Sequence, residues 1–381
     1  MSLRPRQTQQ PLGIPVYGLD GVSVSQANPI AGRPGERRLI PCPENSWAFT
    51  NLVSAINIGL EILESPPGRG VLGRLASQLI ETWGVENEPC FRYGTPQIQG
   101  HIDTFLSAIR RDLFMITIED LGSPSILAGS NRELGGWNGD LASYLAKSHA
   151  AISYNIRRVQ DMCNASAAID RIDQARNSSS AARAERKKMI LRHKHFQFMF
   201  AAATVHEICH IFVGYISQDG RHGGGFGTPP SITHLNYGRQ QRRDAGGRIQ
   251  GESGRWVENR LFGGTLEFYQ NNNDDAGQVG ILHILDAHDV AHRVTSQAIL
   301  NFIEGDRQFV FPLETTGTGI TRRQRGQEGI RSIGSTEAAP YQADYLFMRS
   351  RLERMPLYNI SRQELNSVPE RPRIIRAIRV R

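Results

Sequence analysis

The sequence predicts a predominantly helical α+β protein in which a small sheet lies beside one long apolar helix. Three observations carry this expectation. The stretch SWAFTNLVSAINIGLEILES places apolar residues at helical spacing and stops at Pro66-Pro67-Gly68. FQFMFAAATVHEICHIFVGYI is apolar on nearly all sides, as a buried helix is, and predicts a helix from about His195 to Ile216. Between them, LFMITIED closes a helical stretch with the β-branched and aromatic residues of a buried strand.

Taken in order, residues 1–40 are rich in Pro, Gly, Gln and Arg, lack periodicity and predict a mobile arm. The first helix begins near Asn45, and a second covers Leu72 to Trp83; both pack as an N-terminal helical extension of the domain. The stretch from Gln97 to Ile118 is a helix followed by the strand, and Gly122 to Gly139, punctuated by Gly, Ser and Asn, is a loop. From Asp140 to Asp173 the pattern is helical almost continuously, and 174–187 reads as a loop or an exposed helix start. Residues 41–317 are thus expected to form a single domain, with 318–381 an Arg-rich, partly disordered segment.

The 381 residues are 39% hydrophobic, which excludes a small disulfide scaffold, a fibrous repeat and a wholly disordered chain. No uninterrupted apolar stretch approaches the ~20 residues of a membrane helix, so no span is expected. MSLRPRQTQQPLGIP has basic residues but no apolar region behind them, which predicts an intracellular protein, cytoplasmic or nuclear. Cys42, Cys90, Cys163 and Cys209 form no CxxC pair and are expected as reduced thiols. From Thr318 onward there are 13 Arg and 6 acidic residues, which accounts for the whole net charge of +7. Such a segment can bind phosphates or acidic proteins, but without interleaved aromatics it reads as a solvated tail, and nucleic acid is not the expected partner. The basic run from Lys187-Lys188 to Lys194 reads as the solvent-facing entry of the apolar helix.

Inside that helix stands His206-Glu207-Ile208-Cys209-His210, an HExxH sequence that arises by chance roughly 0.02 times in a chain of this composition. Residues i and i+4 share a helical face, so both imidazoles can address one metal ion, while Glu207 is placed to act as a general base. Histidines and a glutamate in so apolar a helix are costly unless paired or metallated. A catalytic zinc takes three protein ligands. The HxxGxxH extension that would supply a third histidine is absent, which leaves a carboxylate from a second helix. GESGRWVENRLFGG reads as that helix, closed by Gly263-Gly264. Its Glu252 and Glu258 are separated by about 600° of helical rotation and cannot both face the metal. Glu258 shares a face with Gly254, Leu261 and Phe262 and is the expected third ligand. Glu252, at the N-terminus and favoured there by the helix dipole, is the alternative.

HEICH followed by GESGRWVENRLFGG resembles a family of poorly characterised fungal proteins that share an HExxH helix and a Gly-rich helix ending in LFGG. The resemblance covers about residues 195–270 and implies a zincin-like metallopeptidase fold of gluzincin type. It implies no particular substrate.

The expected function is a zinc-dependent hydrolase, most simply a metallopeptidase, with Zn²⁺ on His206, His210 and Glu258, Glu207 as general base, and a peptide or protein substrate. Tyr269, Tyr237 and His234 are candidate oxyanion donors. The alternative is a non-catalytic metal-binding or degenerate zincin-fold protein whose basic C-terminal segment binds acidic partners. His288-Asp289-Val290-Ala291-His292, with His283 one turn earlier, reads as a second i, i+4 pair on a helix. Its expected role is a satisfied face or support for the metal site, with Asp286 or Asp289 orienting a ligand histidine. The loop His222 to Pro230 is read as a substrate-edge loop or an ordinary connection.

Overall fold

A computed structural model describes residues 18–88, 90–92, 95–132, 137–175, 179–218, 227–235, 249–304, 307–335 and 355–366. Ser46 starts the first helix, α1 (Trp47–Glu64), by accepting a hydrogen bond from the Phe49 amide. Helix α1 stops before Pro66-Pro67 as expected, and the same prolines open α2 (Pro66–Trp83) directly after the Ser65 cap, earlier than the expected start at Leu72. Proline lacks the amide that a first helical turn leaves unpaired, so it starts a helix as readily as it ends one. The remaining helices are α3 (Thr95–Arg111), α4 (Ala146–His149), α5 (Ile156–Gln174), α6 (Ser180–Ser217), α7 (Ser253–Phe262), α8 (Ser296–Ile303), α9 (Arg322–Gln327) and α10 (Arg362–Asn366).

The strands are β1 (Leu19–Val22), β2 (Val24–Ile30), β3 (Arg33–Pro41), β4 (Met115–Glu119), β5 (Ala128–Asn131), β6 (Ala151–Asn155), β7 (Thr265–Tyr269), β8 (Ile281–Leu285), β9 (Val290–Val294), β10 (Thr315–Thr321), β11 (Ser332–Ser335) and β12 (Tyr358–Ile360). They form a mixed sheet of order β3-β2-β4-β6-β5, an antiparallel sheet of order β10-β9-β8-β7-β11, and a β1-β12 pair. In the mixed sheet β2, β4 and β6 run parallel, and β3 and β5 are antiparallel edges. Every residue of β4 and β6 is buried, as parallel strands covered on both faces must be. The protein is a mixed α/β structure, roughly half helical, with three small sheets among the described residues.

Helix α6 is the centre of the assembly and packs against α1, α5, α7, α8 and β5. Its contact with α1 depends on Gly59, where a Cβ would come within 2.8 Å of the Ala201 carbonyl oxygen and 2.9 Å of Thr204 Cβ. By length and composition α6 could cross a membrane, yet 94% of its most apolar window is buried inside the protein.

Four expectations are corrected. Leu19–Pro41, assigned to a mobile arm, forms three strands, because β2 finds pairing partners in β3 and in the distant β4; residues 1–17 lie outside the described residues. The continuous helix over 140–173 is interrupted by β6, whose AISYN has no strong local preference and is made a strand by pairing with β4 and β5. The loop over 122–139 contains β5. In the Arg-rich segment, Tyr358, Ile360 and Leu365 are buried, and the Tyr358 ring lies edge-on to Phe49 at 5.4 Å, so this stretch packs on the body. Most of 336–381 lies outside the described residues.

Candidate metal centre

His206 and His210 project from one face of α6, and their Nε2 atoms lie 3.3 Å apart. The third group comes from the start of α7, where the chain is clamped. The Gly251 amide donates to Thr228 O and the Glu252 amide to Ile232 O at 2.8 Å; a Cβ at position 251 would sit 2.0 Å from Pro229 O. Glu252 is the N-cap of α7, its Oε2 accepting from the Arg255 amide at 2.6 Å. That bond turns Oε1 toward the histidines, 2.5 Å from His210 Nε2 and 3.2 Å from His206 Nε2.

Both imidazoles are held from behind. Glu258, fully buried, places Oε1 2.7 Å from His206 Nδ1, and its Oε2 accepts from the Leu266 amide at 3.0 Å. Ser253 Oγ lies 3.0 Å from His210 Nδ1. A carboxylate can only accept, so His206 Nδ1 donates to it and a neutral ring keeps its lone pair on Nε2. The face of the His206 ring rests on Gly254, where a Cβ would approach three ring atoms at 2.5 Å.

This arrangement corrects the expected ligand set. Glu258 faces Nδ1, the opposite edge of the ring from Nε2, so it cannot share an ion with the two Nε2 atoms; it orients His206. Glu252 is the carboxylate that meets them. The helical-face argument identified the inward side of α7 correctly, as the Gly254 contact shows, but which edge of a ring a carboxylate meets depends on tertiary placement. Glu252, the alternative ligand, is both cap and ligand candidate: Oε2 accepts from the Arg255 amide while Oε1 faces the histidines. Ser253 and Gly254 stand in the same GESG signal.

The residues fit a metal ion. A tetrahedral ion with ligands at about 2.0–2.2 Å needs ligand atoms roughly 3.3 Å apart, and two of the three separations are 3.3 and 3.2 Å. Among the described residues, this is the group of His, Cys, Asp or Glu side chains that could hold an ion. Glu252 Oε1 is buried and, despite its two neighbours, is not aligned for a hydrogen bond with either. Electrostatics point the same way. Burial opposes protonation of His206, but the Glu252 and Glu258 carboxylates outweigh it and push the imidazole up to about 10. Burial would raise Glu252, but His206 and His210 outweigh it and hold the carboxyl well below its usual range. The pocket is built to contain positive charge.

Glu207 is buried, and its Oε2 has no hydrogen-bond partner. It lies close enough to Tyr154, whose hydroxyl is 2.8 Å from Thr204 Oγ1, to help burial raise that phenol's pKa. Of the proposed oxyanion donors, Tyr269 is packed against His283 and under the Arg325 guanidinium in the antiparallel sheet. His234 Nδ1 lies 2.9 Å from Thr265 Oγ1, and its Nε2 is buried without a partner. Tyr237 and residues 222–226 lie outside the described residues.

The second histidine cluster is not on a helix. His283 lies in β8, His292 in β9 and His288 in the turn between them, where Asp289 adopts φ 58. Asp286 serves the hairpin itself, accepting from the His288 and Val290 amides and lying 3.0 Å from His292 Nε2. Asp289 bonds Arg325. Neither aspartate orients His206 or His210, whose Nδ1 atoms are held by Glu258 and Ser253.

No protein-family model matches the chain, and no curated protein or solved structure does.

Proposed function

We infer that the chain is a metal-dependent hydrolase, most simply a zinc peptidase, with a zincin-like arrangement of the HExxH helix beside the mixed sheet. The convergence of His206 Nε2, His210 Nε2 and Glu252 Oε1, backed by Glu258 and Ser253, carries the reading. Two nitrogens and one oxygen form a donor set suited to zinc. When bound, zinc supplies Lewis acidity, drawing the pKa of a water towards about 7 and polarising a carbonyl.

The chain's own residues supply the rest. Glu258 fixes the tautomer and the ring plane of His206, and Ser253 Oγ, next to Nδ1, helps to orient the ring of His210. Glu252 is held in place by its cap bond to Arg255. Glu207 Oε2, buried and unpartnered, accepts a proton from the attacking water and returns it to the leaving amine. The substrate is a peptide or protein.

The test is turnover of a mixed peptide library by zinc-loaded wild type and Glu207→Gln. The reading expects the variant to keep its metal and lose about 10²–10⁴-fold in rate. A second reading, a non-catalytic metal site, draws on the near closure of the centre: side-chain exposure is 0% for His206, 13% for Glu252 and 17% for His210. It expects no turnover from either protein and equal metal content.

A further inference from the structure

One short segment, residues 227–235, reaches both carboxylates that serve the histidines. At its start Gly227 O accepts from Trp83 Nε1 at 3.2 Å. Thr228 O and Ile232 O then accept from the Gly251 and Glu252 amides at 2.9 and 2.8 Å, which sets the backbone of Glu252. At the other end His234 meets β7, with Nδ1 2.9 Å from Thr265 Oγ1. Thr265 precedes Leu266, whose amide holds Glu258 Oε2 at 3.0 Å, while Glu258 Oε1 lies 2.7 Å from His206 Nδ1. A path of three hydrogen bonds and one peptide unit therefore runs from His234 to the His206 ring.

The path lies in the interior. Thr265, Leu266, Glu258 and His206 are fully buried, and His234 is 8% exposed. Gly263-Gly264 turn the chain from α7 into β7 so tightly that a Cβ at position 264 would lie 2.3 Å from Leu285 O. Burial holds His234 below its ordinary pKa, although Glu258 is near enough to oppose it, so the ring is neutral and carries one N–H. Its Nε2 is buried without a partner. A lone pair is cheaper to leave there than an N–H, so the proton sits on Nδ1 and His234 donates to Thr265 Oγ1.

We propose that His234 is a positioning residue: by holding Thr265 at the start of β7 it fixes the Leu266 amide that presents Glu258 to His206. A ring held in this way keeps Nε2 aimed at the point where His210 and Glu252 converge. The consequence for metal binding rests on the reading of that point as a metal centre, whereas the hold on His206 exists without an ion.

Two measurements on the full chain separate these parts. In the metal-free protein, the His206 Nδ1 proton should appear at low field in proton NMR, assigned by its absence from His206→Ala. His234→Ala and Thr265→Val, which removes the hydroxyl and keeps the shape, should shift or broaden it. His234→Asn, whose amide nitrogen can stand where Nδ1 stood, should keep it as in wild type. With Co²⁺ as the probe, wild type and His234→Asn should share one affinity and one visible spectrum. His234→Ala and Thr265→Val should bind about ten-fold more weakly with shifted bands. The His234→Ala/Thr265→Val double variant should be no weaker than either single one, as two ends of one bond require. An unchanged low-field proton in both His234→Ala and Thr265→Val, or folded His234→Asn that behaves as His234→Ala does, would overturn the proposal. Wild type that binds no Co²⁺ would overturn the metal reading alone, and the NMR comparison would still decide the positioning role. If His234→Ala does not fold, Thr265→Val takes its place.

Discussion

Helix α6 carries a buried histidine in each half, His193 and His206, and the two have opposite chemistry. In its N-terminal half, His193 is almost wholly buried among amides: its Nε2 lies 3.1 Å from Asn51 Oδ1, and Asn51 in turn donates to Ser166 Oγ. Burial, with Lys194 adding to it, pushes His193 down to about 4, and burial alone does the same for His195. In the C-terminal half, equally deep burial of His206 is outweighed by two carboxylates, and the imidazole is pushed up to about 10. Burial alone makes a histidine a neutral core residue; carboxylates set around it turn the same side chain into part of a cation site.

The sharpest way to break the comparison is to exchange roles. His206→Ala should abolish stoichiometric metal binding, while His193→Ala should leave it intact, measured by elemental analysis after dialysis. The next largest effect is expected at the outer partner. Glu258→Gln keeps the shape but weakens the hold on His206 Nδ1, and should lower metal affinity by about 10–100-fold, read by chelator competition. Gly254→Ala tests the packing beneath the ring: a Cβ 2.5 Å from three ring atoms forces the helices apart or tilts His206. We expect a loss of about 1–3 kcal/mol in denaturant unfolding, with weaker metal binding.

The smallest effect concerns pH. His193 has a folded pKa of about 4, below the ordinary 6.5, so the unfolded chain takes up the proton first. The stability contributed by neutral His193 is therefore fully present above pH 6.5 and is lost as pH falls towards 4, by at most on the order of 3 kcal/mol. Urea unfolding at pH 7 and pH 4.5 should show His193→Gln losing less stability on acidification than wild type. Equal losses would mean that His193 is not held neutral by the fold.

Much of the centre was legible because HExxH is a local signal: one helix fixes both histidines and Glu207, and apolar neighbours announce its burial. The helix GESGRWVENRLFGG was legible for the same reason. Which carboxylate meets the Nε2 atoms was not, since it depends on how α7 is clamped by Thr228 and Ile232, residues brought there by chain folding. The strands show the same limit. LFMITIED declares itself by composition, whereas AISYN and Val24–Ile30 are strands because partners far along the chain pair with them. The HDxxH spacing suggested a helix, but Asp286 and Asp289 build a hairpin turn, where a four-residue separation means two sides of a bend.

The central claim is that Glu252, with His206 and His210, holds a metal that Glu258 supports from behind. Zinc content per chain, measured side by side for wild type, Glu252→Gln and Glu258→Gln, tests it most directly. The account predicts one zinc in wild type, none retained after dialysis in Glu252→Gln, and weakened but measurable zinc in Glu258→Gln. Full retention by Glu252→Gln with loss in Glu258→Gln, or no zinc in wild type after zinc is supplied, would contradict it.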